Sequence, residues 1–212
     1  CTSDVSVGGL GDSYFEYLLK LYLVSNKLDT KSRDAFVSAT SDISRMLTIK
    51  TNKTEYSFLT KMVNGEHDLT MDHLSCFYPG TLALAAMQPE LHSHAAKWLS
   101  DAASILDTCI AMYDKQRTGL SPEAVEFDSE SGEMVNGPSY YILRPETMES
   151  LFYMWRATRN EKYREAGWRI VRRWILFCRV DDGGFTGLAE VNVATPEGTD
   201  VMESFWMAES LK

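Results

Sequence analysis

Apolar residues recur every three or four positions in several long stretches of the chain, and this period predicts α-helices. In the first stretch, from Asp12 to Ser25, the apolar face carries Tyr14, Tyr17, Leu18, Leu21 and Tyr22. The same period predicts further helices over Lys31–Leu47, Leu91–Tyr113, Pro145–Thr158 and Glu161–Val180, and a last helix that starts at Thr199 and continues to Lys212. The helices follow one another in pairs, which is typical of stacked helical hairpins.

The segments between these helices carry turn signals. Asn64-Gly65 separates two short segments, Glu55–Met62 and His67–Met71, and this dipeptide predicts the turn of a small β-hairpin. The stretch Gly119–Gly137 is polar and is predicted to be a loop, and Asp181–Gly187 is a Gly-rich turn region.

One four-residue pattern recurs in one helix of each pair: an acid, a serine, an apolar residue and an aromatic residue. It occurs at Asp12-Ser13-Tyr14-Phe15, Glu149-Ser150-Leu151-Phe152 and Glu203-Ser204-Phe205-Trp206. The last two copies both start Met-Glu-Ser and lie 54 residues apart, about the length of one helical hairpin with its loop. Repeats of this kind predict stacked hairpins, either an open solenoid or a closed toroid. A toroid would gather the acids at one end of a common axis, so the predicted fold class is all-α, an α/α toroid with a small β-hairpin.

Composition limits the function. The chain has 212 residues and a formal net charge of −9, so a nucleic-acid partner is not expected. No apolar run approaches the roughly eighteen residues of a membrane span, so none is predicted. The cysteines form no CxxC pair, which argues against zinc, and Asn52-Lys53-Thr54 is a glycosylation sequon at Asn52. The chain begins at Cys1 and ends at Lys212 within a predicted helix, so we expect a piece of a longer protein.

The stretch RPETMESLFYMW, from Arg144 to Trp155, poses the main functional question. Pro145 suits the first position of a helix, and acids in the first turn complement the helix dipole. Glu146 and Glu149 therefore have an ordinary structural explanation. Clustered carboxylates with aromatic residues also suit glycoside hydrolysis, in which one acid protonates the leaving oxygen and a second carboxylate activates water or attacks. They also suit a hard cation such as calcium, and spacing alone does not separate these uses.

Five sequence motifs help to distinguish between these roles of the acids. They are SVGGLGDSYFEYLLK (Ser6–Lys20), HLSCFYPGTLAL (His73–Leu84), GLSPEAVEF (Gly119–Phe127), YILRPETMESLFYMWRAT (Tyr141–Thr158) and MESFWMAESLK (Met202–Lys212). Together they resemble glycoside hydrolase family 47, the class I α-1,2-mannosidases. The resemblance covers nearly the whole chain and implies that residues 1–212 form the C-terminal portion of a single catalytic domain, a fragment of an (α/α)7 barrel.

The resemblance implies a function and a set of roles. Such enzymes remove terminal α-1,2-linked mannose from high-mannose N-glycans, with inversion and bound calcium, in the lumen of the endoplasmic reticulum or Golgi. Glu146 matches the general base, and Asp12 matches a second catalytic carboxylate. The matches to residues of the mannose pocket are Arg144, Glu149, His73, Phe205 as the stacking aromatic, and Glu209. Cys76 and Cys109 match the disulfide of the family, against the alternative of two buried free thiols.

Two parts of the family's site are expected outside this chain. One is the principal acid glutamate, which belongs to the N-terminal half of the domain, and the other is the calcium-binding threonine, expected beyond Lys212. No metal ligand is therefore assigned within the chain.

Alternatives stay open at two points. Leu10 stands where Golgi-type members carry leucine and endoplasmic-reticulum-type members carry arginine, which suggests broader trimming, whereas HLSCFYPGTLAL is closer to the endoplasmic-reticulum type. A mannosidase-like lectin that binds glycans in quality control without cutting them is the alternative function. A toroid without any sugar site is the third possibility.

Overall fold

The computed structural model describes residues 4–212, so Cys1, which the sequence leaves without a partner, lies outside the described residues. Its main elements are six α-helices in three hairpins. They are α1 (Asp12–Val24), α2 (Thr30–Met46), α3 (Tyr78–Ala86), α4 (His92–Asp114), α5 (Glu146–Thr158) and α6 (Glu161–Arg173). The predicted pairing of helices is confirmed.

The three hairpins form two layers. Helix α3 contacts both α1 and α5, so these three helices make one layer, and each packs against the next helix in sequence, α2, α4 or α6. The second layer is tied together by contacts such as Phe36 of α2 against Trp98 of α4, with ring centroids 5.6 Å apart. This is the arrangement of stacked hairpins in an α/α barrel, as the repeat predicted.

Helices α3 and α5 cross very closely, and the sequence explains why. A Cβ at Gly80 would lie only 3.0 Å from the Cα of Ser150, so only glycine fits this crossing. The Gly80 N–H donates to Ser150 Oγ at 2.8 Å, and the hydroxyl donates in turn to the backbone oxygen of Cys76. The serine of the repeated acid–serine pattern thereby fixes the start of α5 against α3.

Strand content exceeds the prediction. The hairpin at Asn64-Gly65 is confirmed: β3 (Lys61–Val63) pairs antiparallel with β4 (Glu66–Asp68), and both turn residues have positive φ, 53° and 85°. The structure adds a hairpin of β1 (Thr48–Lys50) with β2 (Ser57–Leu59), and a sheet ordered β5-β6-β7. The strands of that sheet are β5 (Thr70–Asp72), β6 (Ala124–Phe127) and β7 (Met134–Asn136).

Two sequence predictions need correction. The stretch Gly119–Gly137 is not a loop throughout, because it contains β6 and β7, whose lengths of four and three residues are too short to produce a clear alternating pattern. The helix predicted from Thr199 starts later and is shorter than predicted, because only residues 204–210 are helical, mostly as the π-helical turn Trp206–Ser210. Likewise α6 ends at Arg173 and passes into a π-helical turn, Trp174–Cys178.

A disulfide links the two layers beside these elements. Cys76, in a 3-10 segment before α3, is bonded to Cys109 of α4, with their Cα atoms 6.0 Å apart, so the predicted pair is confirmed. Cys178 is buried and free. In residues 4–212, no helix is both long enough and apolar enough to cross a membrane.

Candidate active site

The N-terminal ends of α1 and α5 open onto a cavity of about 1150 Å³. We call it the acidic cavity because its lining includes five carboxylates: Asp12 and Glu16 from α1, Glu146 and Glu149 from α5, and Glu209 from the C-terminal turn. Aromatic side chains complete the wall, namely Tyr17, Phe77, Phe152, Tyr153, Trp174, Phe185 and Trp206. Acids and aromatics thus converge at one end of the hairpins, where Asp12 and Glu149 of the repeat line the cavity and Glu203, the acid of its third copy, does not.

Glu146 is held by a buried histidine. Its Oε2 lies 3.1 Å from Nδ1 of His73, and Nε2 of His73 lies 2.7 Å from the hydroxyl of Tyr113. His73 is 1% exposed. The two ring nitrogens of His73 thus connect Glu146 to Tyr113, and Thr147 Oγ1 also lies 3.2 Å from Nε2. Burial raises the pKa of Tyr113 above its usual value, so the phenol keeps its proton for this bond.

Arg144 supports the same carboxylate from the other side. Its guanidinium is bound in a two-pronged contact by Glu123, with Nε 2.8 Å from both carboxylate oxygens, and its Nη1 lies 3.8 Å from Oε1 of Glu146. Because Glu123 binds the guanidinium in this bidentate contact, Arg144 is held in a fixed position beside Glu146. Arg144 is not part of the cavity lining, so it acts on Glu146 from behind.

Backbone strain occurs shortly before both predicted catalytic acids. Leu143 is fully buried and has φ 66°, and Leu10 has φ 71°. A left-handed conformation is costly for a bulky residue and is maintained only where the surroundings enforce it. At Leu143 the surroundings include Ser210, whose Oγ donates to the Leu143 carbonyl at 2.8 Å. Burial and this hydrogen bond therefore hold the turn that precedes Arg144 and Glu146 in place.

Glu149 shares its environment with two residues of α1. Lys20 Nζ donates to Glu16 Oε1 and lies 3.9 Å from Glu149 Oε1. Burial, reinforced by the neighbouring Glu16, raises the pKa of Glu149 to about 7, and Lys20 opposes this rise. A carboxylate with a pKa near neutrality in a cavity is a common mark of a functional site.

Asp12 lines the same cavity, although it does not cap α1. Gly11 occupies the cap position and makes no side-chain capping bond, while Asp12 is the first helical residue. Its Oδ1 accepts only from the N–H and hydroxyl of the adjacent Ser13, so the carboxylate remains available to the cavity.

The remaining predicted site residues are distributed unevenly. Glu209 lines the acidic cavity, whereas Phe205 does not, and its neighbour Trp206 forms the wall at that point. Leu10 is fully exposed and lies outside the lining. The stacking role of Phe205 and the specificity role of Leu10 stay predictions.

A second concave surface lies at the C-terminal ends of α4 and α6, next to the acidic cavity, with which it shares Ile175. This arginine cleft, about 770 Å³, is formed where α4 and α6 end and includes Arg169, Arg172, Arg173 and Arg179 with Asp114 and Asp181. Arg169 pairs with Asp114 at 3.2 Å, and basic residues in a last helical turn complement the helix dipole. The charges of the arginine cleft have a sufficient structural explanation, and Asp114, one of its two carboxylates, is already paired with Arg169, so the acidic cavity is the candidate active site.

The expected calcium finds no complete binding set in this chain. Within residues 4–212, no group of three or more His, Cys, Asp and Glu side chains is arranged to hold a metal ion. The carboxylates of the acidic cavity have suitable oxygen atoms but do not converge on one point, so no chemical step is assigned to a metal here.

Sequence reasoning missed four supporting residues. Glu123, which holds Arg144, lies within the GLSPEAVEF motif but received no role, and Tyr113 was assigned only to a helix. Glu16 and Lys20 also received no role, although they lie one and two turns after Asp12 on the same face of α1. That spacing was the available signal.

The fold and the acidic cavity together indicate a class of protein. Stacked helical hairpins with carboxylates and aromatics at the converging helix ends match a glycosidase-type site, in which paired carboxylates act on a sugar. The sequence model described as Glycosyl hydrolase family 47 matches residues 1–212, so the chain belongs to glycosyl hydrolase family 47.

Individual proteins agree with this assignment. The chain is 40% identical over 209 residues to mannosyl-oligosaccharide 1,2-alpha-mannosidase IB of Homo sapiens. This alignment covers 98% of this chain and 32% of that protein. It is 36% identical over 214 residues to the endoplasmic reticulum mannosyl-oligosaccharide 1,2-alpha-mannosidase of Mus musculus, with 98% and 32% covered. The chain thus spans about a third of the length of these relatives.

A solved structure confirms the fold. The alpha-1,2-mannosidase from Trichoderma reesei superimposes with a TM-score of 0.90 and 26% identity over 100% of this chain and 46% of that one. Its architecture is an (α/α)7 barrel, so the three hairpins described above are a portion of such a barrel.

Proposed function

We propose that these residues form part of the catalytic domain of an α-1,2-mannosidase that removes terminal mannose from high-mannose N-glycans. The relatives carry mannosyl-oligosaccharide 1,2-alpha-mannosidase activity in their names, and one is named for the endoplasmic reticulum. The secretory-pathway lumen, either endoplasmic reticulum or Golgi, is the location that this substrate implies.

One observation carries the proposal: the carboxylate of Glu146 lies in the acidic cavity between His73 and Arg144. A general base must be oriented and must be free to take a proton. His73 and Arg144 supply the orientation. They also stop the carboxylate from turning away towards its own helix.

The proposed reaction inverts the anomeric centre. Glu146 takes a proton from a water molecule, the water oxygen bonds to C1 of the mannose, and the bond from C1 to the glycosidic oxygen breaks. The leaving oxygen receives a proton from an acid, and Asp12 faces the cavity in which that transfer would occur. The principal acid is expected in the part of the domain that this chain does not cover, and calcium dependence is proposed from the family resemblance alone.

The substrate's shape suits the cavity walls. A sugar ring has apolar faces and polar edges, so aromatic side chains can stack on it while carboxylates accept hydrogen bonds from its hydroxyls. Glu149 and Glu209 are the acids positioned for hydroxyls, and Tyr17 and Phe152 supply exposed aromatic surface.

The test uses the intact protein that contains these residues. It is incubated with an α-1,2-linked mannobiose, and NMR follows the anomer released. We expect release of the inverted anomer, loss of activity on addition of a chelator and recovery with calcium. Residues 1–212 alone are expected to release no mannose, because the acid glutamate is not among them.

Other outcomes have clear meanings. Release of the retained anomer would overturn the inverting mechanism. Glycan binding without hydrolysis by the intact protein would favour the lectin alternative, and neither binding nor hydrolysis would favour a toroid with no sugar site.

A further inference from the structure

Lys20 is a cation placed among the acids of the acidic cavity. It follows Asp12 and Glu16 at intervals of four residues, so all three lie on one stripe of α1 that faces the cavity. Its Nζ donates to Glu16 Oε1 on the same helix and lies 3.9 Å from Glu149 Oε1 on α5. The side chains of Lys20, Glu16 and Glu149 are only 35%, 17% and 32% exposed, so water screens their charges incompletely.

The charges around Glu149 make Lys20 important. Four groups facing Glu149 carry or can carry negative charge: Glu16 from α1, Glu146 and Tyr153 from α5, and Glu209 from the C-terminal turn. Lys20, 3.9 Å from Glu149, opposes them, and Lys212 is a second cation in the cavity lining. Arg144 is already bound by Glu123 and contacts Glu146 instead.

We propose that Lys20 is a positioning residue that holds Glu16 and Glu149 together across α1 and α5, so that the Glu149 carboxylate is placed to accept a hydrogen bond from a sugar hydroxyl. This inference rests on the proposed function, because it assigns Glu149 to substrate binding in that reaction. Lys20 itself touches no reacting atom in this scheme.

The pKa shifts of Lys20 and Glu149 have the directions that this proposal requires. Burial lowers the pKa of Lys20, but Glu16 and Glu149 outweigh it and raise that pKa, so the lysine stays charged. Burial raises the pKa of Glu149 to about 7 even with Lys20 present. Removing the lysine removes an interaction that lowers this pKa. Glu149 would then be protonated at neutral pH and would ionise only at higher pH.

The experiment compares variants of the intact protein in the mannobiose assay across pH. We expect Lys20→Met to lower kcat/KM about tenfold near pH 6 and to move the acidic limb of the profile up by about one pH unit. Activity should approach that of the unaltered protein at higher pH. Lys20→Arg keeps the charge and should restore most of the profile. Glu16→Gln removes a repelling neighbour and should move the limb down.

Lys97→Met is the matched control. Lys97 pairs with Asp101 at the same four-residue spacing, 2.5 Å apart, on α4 away from the cavity. Its removal should leave the pH profile unchanged. A Lys20→Met variant that loses activity equally at every pH, or an arginine variant that fails to rescue, would assign Lys20 a merely structural role and overturn the proposal.

A second readout does not depend on turnover. Glutamate labelled with ¹³C at the side-chain carboxyl gives a Glu149 signal, identified by its absence in Glu149→Gln, whose titration is followed by NMR. We expect Lys20→Met to raise its midpoint. An unchanged midpoint refutes the inference even if mannose is released, whereas a raised midpoint in a protein without hydrolysis would reject only the proposed function.

Asn52 carries a separate inference. The sequon Asn52-Lys53-Thr54 lies in the bend between β1 and β2, and Asn52 and Lys53 are exposed. Thr54 Oγ1 donates to the Gly132 carbonyl at 2.9 Å, so the sequon threonine anchors the loop while Asn52 itself is exposed.

The geometry points to Asn52 as a site of N-linked glycosylation in a secretory compartment. In this step Asn52 Nδ2 loses a proton and bonds to C1 of the first sugar, and the bond from C1 to a lipid pyrophosphate carrier breaks. Peptide mapping of the protein secreted from a eukaryotic host, with and without peptide-N-glycosidase, should find Asn52 converted to aspartate by the enzyme. Thr54→Ser should keep the glycan and Thr54→Ala should lose it. An unmodified Asn52 in the secreted protein would refute this site.

Discussion

The acidic cavity and the arginine cleft lie at opposite kinds of helix end, and both contain several like charges. In the arginine cleft, the arginines stand near the C-terminal ends of α4 and α6, where the helix dipole favours positive charge. In the acidic cavity, carboxylates stand at the N-terminal ends of α1 and α5, where the dipole favours negative charge. Dipoles alone would make the two surfaces equivalent.

Burial and pairing separate the two surfaces. Arg169, Arg172 and Arg173 are exposed, so their repulsion is screened by water, and Arg169 has Asp114 as its partner. Glu146 and Glu149 are partly buried, and the pKa of Glu149 rises to about 7 because burial and like charges disfavour ionisation. Like charges held together at such a cost indicate function, whereas exposed charges at a helix end do not. Four experiments test this contrast between the acidic cavity and the arginine cleft.

The largest effect is expected at Glu146. Glu146→Gln keeps the size of the side chain and removes the proton acceptor, so kcat should fall by about 10²–10⁴-fold in the intact protein, with glycan binding retained. The control is Glu165→Gln, a change at an exposed acid of α6. If kcat stays within about threefold of that of the unaltered protein, Glu146 is not the base, and the functional assignment of the acidic cavity is wrong.

The disulfide tests whether the acidic cavity depends on a rigid scaffold. Cys76 lies three residues after His73, and its bond to Cys109 spans a sequence separation of 33. Replacing both cysteines by alanine should lower the free energy of unfolding by about 3–4 kcal/mol in the chain-entropy model, measured by urea denaturation. The unaltered protein under reducing conditions is the control and should match the variant. Equal stability of oxidised and reduced protein would contradict this account.

Glu149 should make stability depend on pH. Its pKa rises from 4.5 to about 7 on folding, so the folded state favours the protonated acid and stability falls as pH rises through this window. Glu149→Gln lacks that loss. Its advantage in unfolding free energy over the unaltered protein should therefore grow by about 1–2 kcal/mol between about pH 4 and pH 8, a value reduced for partial exposure to water. An advantage that stays constant across this window, as expected for Glu165→Gln, would disprove the shift.

The smallest effects are expected in the arginine cleft. Arg172→Gln and Arg173→Gln should each lower the free energy of unfolding by about 0.3–1 kcal/mol, with a smaller loss at high salt, because they remove only a dipole interaction. Turnover should stay within about twofold. A tenfold loss of activity in either variant would mean that the arginine cleft is functional and that the contrast drawn above is wrong.

The sequence by itself determined the helical hairpins and most of the candidate site. The 3.6-residue period of apolar positions located α1, α2, α4, α5 and α6, because an amphipathic helix buries one face whatever its partner. The Asn-Gly turn was predictable because few other residues accept two consecutive positive φ angles. The motifs around Asp12, His73 and Glu146 also identified the disulfide cysteines and the family.

Only the tertiary structure decided how these parts meet. Strands β5, β6 and β7 are stabilised by partners distant in sequence, so a three-residue stretch such as Met134–Asn136 carries no sufficient signal of its own. The C-terminal π-helical turn departs from the helical period for the same reason. The contacts of Glu123 with Arg144, Tyr113 with His73, and Lys20 with Glu149 join different elements. Charge and burial depend on such through-space distances, and no spacing along one helix contains them.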